Sequence, residues 1–250
     1  MTGMNVSLAV LAGVLAAALL SMAVFAATGA RRDPDAERRN SRFLMGAGDF
    51  LVHWLLWAIR PLDRIAASLG LSPDFFNFAG LFFGLLSGIA IATGRLELGG
   101  WAIALGGVSD IMDGRVARAR QLSSPYGTFI DSMLDRFVEV FAFLGFIVFL
   151  RGFAYGPLLA GGAITGSLLV SYARARGESV GVLCKEGLMQ RAERLVLIFL
   201  ACLLDRPLAG WRAWPLGTLV LWTMALIAAG TFTTAAHRTV WIARALKAKS

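Results

Sequence analysis

The sequence predicts an all-α membrane protein, a polytopic bundle of transmembrane helices. Hydrophobic residues make up 57% of the 250 positions, above the roughly 45–50% that is typical of soluble domains. They are concentrated in runs long enough to cross a hydrocarbon core of about 30 Å. The formal net charge of +8 comes from basic residues near the ends of these runs, which indicates contact with anionic lipid and phosphate groups rather than nucleic acid.

The first apolar run, residues 6–27, is long enough for a membrane anchor. A cleaved signal peptide is the alternative, but no basic residue precedes the run and its length exceeds the usual apolar region of such peptides. We therefore expect an N-terminal transmembrane anchor over residues 1–29, followed by a basic cytoplasmic linker over residues 30–42. The positive-inside rule then places the N-terminus outside. The linker arginines are Arg31, Arg32, Arg38, Arg39 and Arg42.

Residues 43–70 change the pattern, because charged residues interrupt Phe, Leu and Trp at helical spacing. This is typical of an amphipathic helix lying in the membrane interface. A poorly apolar spanning helix is the alternative, and the number of charges disfavours it.

Residues 71–250 are expected to form a membrane domain of six spanning helices. The predicted spans are residues 75–93, 99–118, 129–150, 157–174, 188–204 and 216–241. Basic residues cluster at the ends that would share the cytoplasmic side with the N-terminal linker, so the topology is self-consistent. Cys184 and Cys202 have no spacing typical of a metal site or a disulfide framework, and we interpret both as packing residues.

Four aspartates lie within two of the predicted spans. Asp110 and Asp113 are three residues apart, and Asp131 and Asp135 are four apart, so each pair shares one helix face. A carboxylate at the centre of a spanning helix costs about 2.5–3.5 kcal/mol on insertion scales, so the group must be compensated. The short turn between the two spans favours antiparallel neighbours with converging carboxylates. Cations between them would be Mg²⁺ or Mn²⁺, which prefer oxygen ligands.

Small residues share the face of Asp110. Gly114 and Ala117 lie four and seven residues further on and would leave room for a bulky ligand. Close helix packing is the alternative reason for small residues in a membrane helix. Arg118, at the end of this span, could pair with phosphate or simply set topology.

The complete pattern from Asp110 to Asp135 is Asp-x2-Asp-Gly-x2-Ala-Arg-x8-Gly-x3-Asp-x3-Asp. It resembles the signature of the CDP-alcohol phosphotransferase family. The resemblance extends from about residue 43 to the C-terminus and implies a six-helix catalytic core, with the first span as an addition. It also implies a homodimer in the bacterial inner membrane, with an active site that faces the cytoplasm.

The resemblance further implies that two Mg²⁺ or Mn²⁺ ions are held by Asp110, Asp113, Asp131 and Asp135, with Asp135 also the catalytic base. The implied CDP-binding residues are Asp110, Asp113, Gly114, Ala117 and Arg118. The reaction would transfer a phosphatidyl-type group from CDP-diacylglycerol to an alcohol and release CMP.

Residues 171–178 and 190–195 resemble segments of the phosphatidylinositol phosphate synthase branch of this family. Their basic residues would suit an acceptor that already carries phosphate, either inositol phosphate or glycerol phosphate. The alternative is that they fix topology and bind anionic lipid. The candidate acceptor residues are Arg174, Lys185, Arg191 and Arg194. A transporter and an inactive scaffold are the competing classes of function.

Overall fold

A computed structural model describes residues 2–28, 48–184 and 186–248. These residues form α-helices joined by short connections, one of which is a 3-10 turn at Leu150–Gly152. In chain order the helices are α1 (Thr2–Ala27), α2 (Asp49–Ala58), α3 (Arg60–Ser68), α4 (Pro73–Ala92), α5 (Leu96–Ala119), α6 (Pro125–Phe149), α7 (Gly156–Ser179), α8 (Arg191–Arg212) and α9 (Thr218–Lys247). The predicted all-α class is confirmed.

Helices α4 to α9 follow the six predicted spans in order and differ from them by a few residues at their ends. By length and composition, α4, α7 and α9 could each cross a membrane, and α1 contains the apolar stretch Ala12–Ala27. Helices α5, α6 and α8 have 24, 25 and 22 residues, which is also enough at about 1.5 Å per residue. They carry more charged residues, and the exact number of spans stays a prediction.

Residues 49–68 form two helices rather than the single predicted helix. Helix α2 ends at Ala58 and α3 begins at Arg60, with Ile59 between them. Pro61 lies in the first turn of α3, where its missing N–H is tolerated, but it cannot continue a preceding helix. Residues 43–47 and the predicted linker over residues 30–42 lie outside the described residues.

The chain divides into two compact units, of which the first comprises Met1–Phe83 and Leu105–Asp135. In this unit α1 packs on α2. Trp54 Nε1 donates a hydrogen bond to Ser21 Oγ at 2.9 Å, and the Phe25 ring lies 5.5 Å from Phe50 and 5.6 Å from Trp57 between centroids. The N-terminal helix therefore has specific polar and aromatic contacts with the segment that follows it.

The second unit comprises Gly84–Ala104 and Arg136–Ser250. Its apolar core includes Phe143 and Phe146 of α6 and Met224 of α9. Glycines let its helices approach closely, as is common in membranes. A Cβ at Gly88 of α4 would collide with a backbone carbonyl of α6, and one at Gly166 of α7 would collide with Thr231 of α9.

Both cysteines are buried and neither forms a disulfide with the other. Cys202 belongs to the apolar core of the second unit. The packing role predicted for these residues is consistent with their burial.

Asp205 of α8 caps the first turn of α9. Its side chain is 1% exposed, and its two oxygens accept hydrogen bonds from the backbone N–H groups of Gly217 at 2.6 Å and Val220 at 3.1 Å. These donors have no partner within α9, because the first N–H groups of a helix lie beyond its hydrogen-bond ladder. A carboxylate is also favoured at the positive end of the helix dipole.

We expect Asp205→Ala to lower the free energy of unfolding by about 1–2 kcal/mol, because the cap is lost and buried N–H groups are left unsatisfied. Asp205→Asn retains one carbonyl oxygen and should lose about half as much. Thermal unfolding of the purified protein in detergent measures both. Equal stability of Asp205→Ala and the parent chain would contradict the capping role.

Candidate metal centre and active site

The site begins with α5, whose last turns carry the first two aspartates. Asp113 is buried, with 7% of its surface exposed, while Asp110 is half-buried. Their separation of three residues puts both on one helix face, together with Gly114 and Ala117. Helix α6 supplies Asp131 and Asp135, which are both half-buried and one helical turn apart.

The structure brings three of the four predicted metal ligands together. One carboxylate oxygen from each of Asp110, Asp113 and Asp131 lies within 4.8 Å of the other two. Such a set of oxygen atoms fits Mg²⁺ or Mn²⁺, which are bound by carboxylates, and a cation would offset the mutual repulsion of the anionic groups. Asp135 is not one of the three. Its position one turn further along α6 is the geometric difference between it and the metal candidates.

Arg118 lies across Gly114 on the same face of α5. A Cβ added to Gly114 would be 2.9 Å from Arg118 Nη1, so any larger side chain at position 114 would displace the guanidinium. Helical side chains lean toward the N-terminus of their helix, and this brings Arg118 back toward the aspartates. The predicted CDP-binding residues Gly114, Ala117 and Arg118 therefore share one face with the carboxylate group.

Two charged residues near this site escaped the sequence analysis as partners. Arg115 Nε lies 3.0 Å from Asp63 Oδ1, and Arg115 Nη2 lies 2.5 Å from Asp63 Oδ2. This two-pronged pair connects α3 to α5. The residues are far apart in sequence and no motif relates them, so no local signal could have revealed the contact.

The four predicted acceptor residues differ in their surroundings. The side chain of Arg174 is 50% exposed and pairs with Glu178 at 2.9 Å. Arg191 is half-buried and is the first residue of α8. Lys185 lies outside the described residues.

Arg194 requires a correction, because its side chain is occupied inside the protein. It is 1% exposed, and Nε and Nη2 both donate to Glu139 Oε1, at 2.8 and 2.6 Å. Its Nη1 donates to the Met189 carbonyl at 3.2 Å. Arg194 thus holds α8 to α6, and its charge is neutralised internally rather than offered to an acceptor phosphate.

Comparison with known proteins supplies the family context. The family model for CDP-alcohol phosphatidyltransferase matches residues 71–236. An archaetidylinositol phosphate synthase from Methanothermobacter thermautotrophicus is 34% identical over 152 residues, which cover 61% of this chain and 76% of the relative. A phosphatidylinositol phosphate synthase from Streptomyces avermitilis is 34% identical over 197 residues, which cover 74% of this chain and 79% of the relative.

Solved structures of a phosphatidylinositol phosphate synthase from Mycobacterium tuberculosis share the fold. The form with CDP-DAG bound has a TM-score of 0.63 and 22% identity, over 73% of this chain and 92% of that one. The form in complex with manganese and citrate has a TM-score of 0.64, again at 22% identity, over 73% of this chain and 87% of that one. With the family model matching most of the chain, and with the aspartates of its signature placed together, this protein belongs to the CDP-alcohol phosphatidyltransferase family of membrane enzymes.

Proposed function

We propose that this enzyme transfers the phosphatidyl-type group of CDP-diacylglycerol to a hydroxyl of inositol phosphate and releases CMP. The observation that carries the proposal is the group formed by Asp110, Asp113 and Asp131 on and beside the face of α5 that bears Gly114, Ala117 and Arg118. Relatives named for inositol phosphate products support the acceptor, and a fold shared with a CDP-DAG-bound structure supports the donor.

In the proposed mechanism, Asp110, Asp113 and Asp131 hold divalent cations, two in number, with Asp135 as a further ligand. When bound, Mg²⁺ or Mn²⁺ neutralises charge on the pyrophosphate and on the departing CMP. Asp110 and Asp113 orient the donor along α5, where Gly114 and Ala117 leave space for the nucleotide. Arg118 pairs with a donor phosphate.

Asp135 is the proposed general base. The acceptor hydroxyl attacks the phosphorus that carries the lipid, an O–P bond forms, and the P–O bond to CMP breaks. The hydroxyl proton passes to the Asp135 carboxylate, which is the expected contribution of a positioned base. Its location on α6 one turn from Asp131 supports this division between binding and proton transfer.

The phosphate of the acceptor is assigned to Arg174, Lys185 and Arg191, without Arg194. Arg191 opens α8, whose N-cap residue Gln190 makes no side-chain capping hydrogen bond. The first turn of such a helix favours anions through its N–H groups and its dipole. Glycerol phosphate carries the same group and is the alternative acceptor.

We place the enzyme in the bacterial inner membrane as a homodimer, with the N-terminus outside and the active site facing the cytoplasm. The distribution of basic residues supports this orientation. The proposed organisation keeps the anchor over residues 1–29, the basic linker over 30–42, an interfacial segment over 43–70 that contains α2 and α3, and the catalytic membrane domain over 71–250.

We expect Arg191→Ala to raise the KM for the acceptor about tenfold or more, since a charged hydrogen bond to phosphate contributes roughly 1.5–3 kcal/mol. The KM for the CDP-lipid should change little. Arg212→Ala, at the other end of α8, is the matched control. Equal changes in both Michaelis constants would argue against acceptor binding by Arg191.

The proposed function is tested by CMP release from the purified protein in nanodiscs with CDP-diacylglycerol and Mg²⁺ or Mn²⁺. Inositol phosphate, inositol and glycerol phosphate are supplied in turn, and EDTA provides the metal-free control. Metal-dependent release with inositol phosphate alone is the expected result. Faster release with glycerol phosphate would reassign the acceptor, and no release with any acceptor would sink the proposal.

A further inference from the structure

Helix α5 has two opposite faces near its C-terminal end. At about 100° per residue, Asp110, Asp113, Gly114 and Ala117 lie on one face, which we call the donor face. Ile111, Met112, Arg115 and Val116 lie on the other, which we call the support face. Three of the support-face residues are buried in the small apolar core of the first unit, together with Leu56, Ile59 and Ala66.

The support face is also fastened to α3 by polar contacts. The carboxylate of Asp63 receives Nε and Nη2 of Arg115, in the forked geometry that favours arginine over lysine. The side chain of Arg115 is 12% exposed and that of Asp63 is 31% exposed. Arg120, at the end of α5, also donates to the carbonyl of Gly70 at 3.3 Å.

Helix α3 depends on these contacts for its position. It has nine residues and its only residue assigned to the interior is Ala66, so it is too short to be stable alone. Its other apolar side chains, Leu62 and Ile65, are exposed. A partly exposed ion pair contributes at most about 1 kcal/mol to global stability, so its loss should loosen α3 locally without unfolding the protein.

We infer that Asp63 and Arg115 are positioning residues for the donor site. Held by this pair, α3 supports α5 from behind and fixes the rotation of its donor face, and thus the placement of Asp110 and Asp113. The inference rests on the proposed function, because it assigns these aspartates to the metal and the CDP-lipid. Small displacements matter at such a site, where a shift of about 1 Å can cost on the order of 10²-fold in rate.

The test measures Mn²⁺ affinity by electron paramagnetic resonance, without turnover, in Asp63→Ala and Arg115→Ala proteins in nanodiscs. Each variant should bind Mn²⁺ roughly tenfold more weakly, the size of effect seen when groups that orient metal ligands are removed. The KM for the CDP-lipid should rise by a similar factor and that for the acceptor by less than about twofold. Arg64→Ala removes an exposed charge from the same helix and should match the parent chain.

The double variant distinguishes a positioning pair from two independent residues. If Asp63 acts through Arg115, Asp63→Ala should cause no further loss in an Arg115→Ala background. Asp63→Glu keeps the carboxylate and should retain most of the Mn²⁺ affinity. Additive losses in the double variant, or single variants that bind Mn²⁺ as the Arg64→Ala control does, would overturn the inference.

A second readout separates failure of this inference from failure of the proposed function. Hydrogen exchange of the amides in residues 60–70 should speed up in Asp63→Ala and stay unchanged in Arg64→Ala. If the parent chain releases no CMP but the Mn²⁺ and exchange results hold, the positioning pair stands and the proposed reaction fails. If CMP is released normally by every variant with unchanged Mn²⁺ affinity, the pair has no positioning role.

Discussion

Asp131→Asn and Asp135→Asn are expected to abolish activity in two distinguishable ways. Asp131 shares the group of carboxylate oxygens that lie within 4.8 Å of one another, so its loss should weaken Mn²⁺ binding by at least about tenfold and turnover with it. Asp135 stands outside that group as the proposed base. Its loss should lower kcat by about 10²–10⁴-fold while most of the Mn²⁺ affinity remains.

The measurement combines Mn²⁺ titration with CMP release on each variant in nanodiscs. Glu97→Gln is the matched control, because Glu97 is a carboxylate in the first turn of α5 that pairs with Arg206 at 2.9 Å. It should bind Mn²⁺ and release CMP as the parent chain does. Asp135→Asn with a loss of Mn²⁺ binding equal to that of Asp131→Asn would mean that Asp135 acts chiefly as a metal ligand.

The largest effect on stability is expected from Arg194→Leu. This change leaves Glu139, which is 7% exposed, as a buried charge without its guanidinium partner. Breaking a buried ion pair from one side typically costs about 3–5 kcal/mol, whereas replacing both partners by apolar residues is often close to neutral. We therefore expect the Glu139→Leu/Arg194→Leu protein to recover most of the stability lost by either single variant.

Thermal unfolding in detergent, monitored by intrinsic fluorescence, provides the comparison. Arg206→Leu is the control on the same helix, since its ion pair with Glu97 has side chains that are 44% and 22% exposed and should contribute at most about 1 kcal/mol. A stable Arg194→Leu protein with a raised KM for the acceptor would return Arg194 to the acceptor site, as its sequence context first indicated.

Much of the fold was predictable because membrane helices are specified locally. Apolar runs of the length needed to span a bilayer predicted the positions of α1 and of α4 to α9, and the spacing of Asp110 and Asp113 predicted their shared helix face. The break at Ile59 was missed, although Pro61 was visible, because the amphipathic pattern continues across it. The approach of Asp131 to the first pair required only that two helices joined by a short turn pack side by side.

The sequence by itself determined the helical class, the signature from Asp110 to Asp135 and the family to which the chain belongs, because these depend on composition and on spacing within single helices. The tertiary structure decided which charges are neutralised inside the protein. Arg194 and Arg191 look alike in sequence, yet only the packing of α8 on α6 places Arg194 beside Glu139. Asp63 and Asp205 likewise acquire their partners, Arg115 and the N-terminus of α9, from elements distant in the chain. A charge buried at a helix contact is stable only when a partner meets it there, and that meeting is a property of the folded chain.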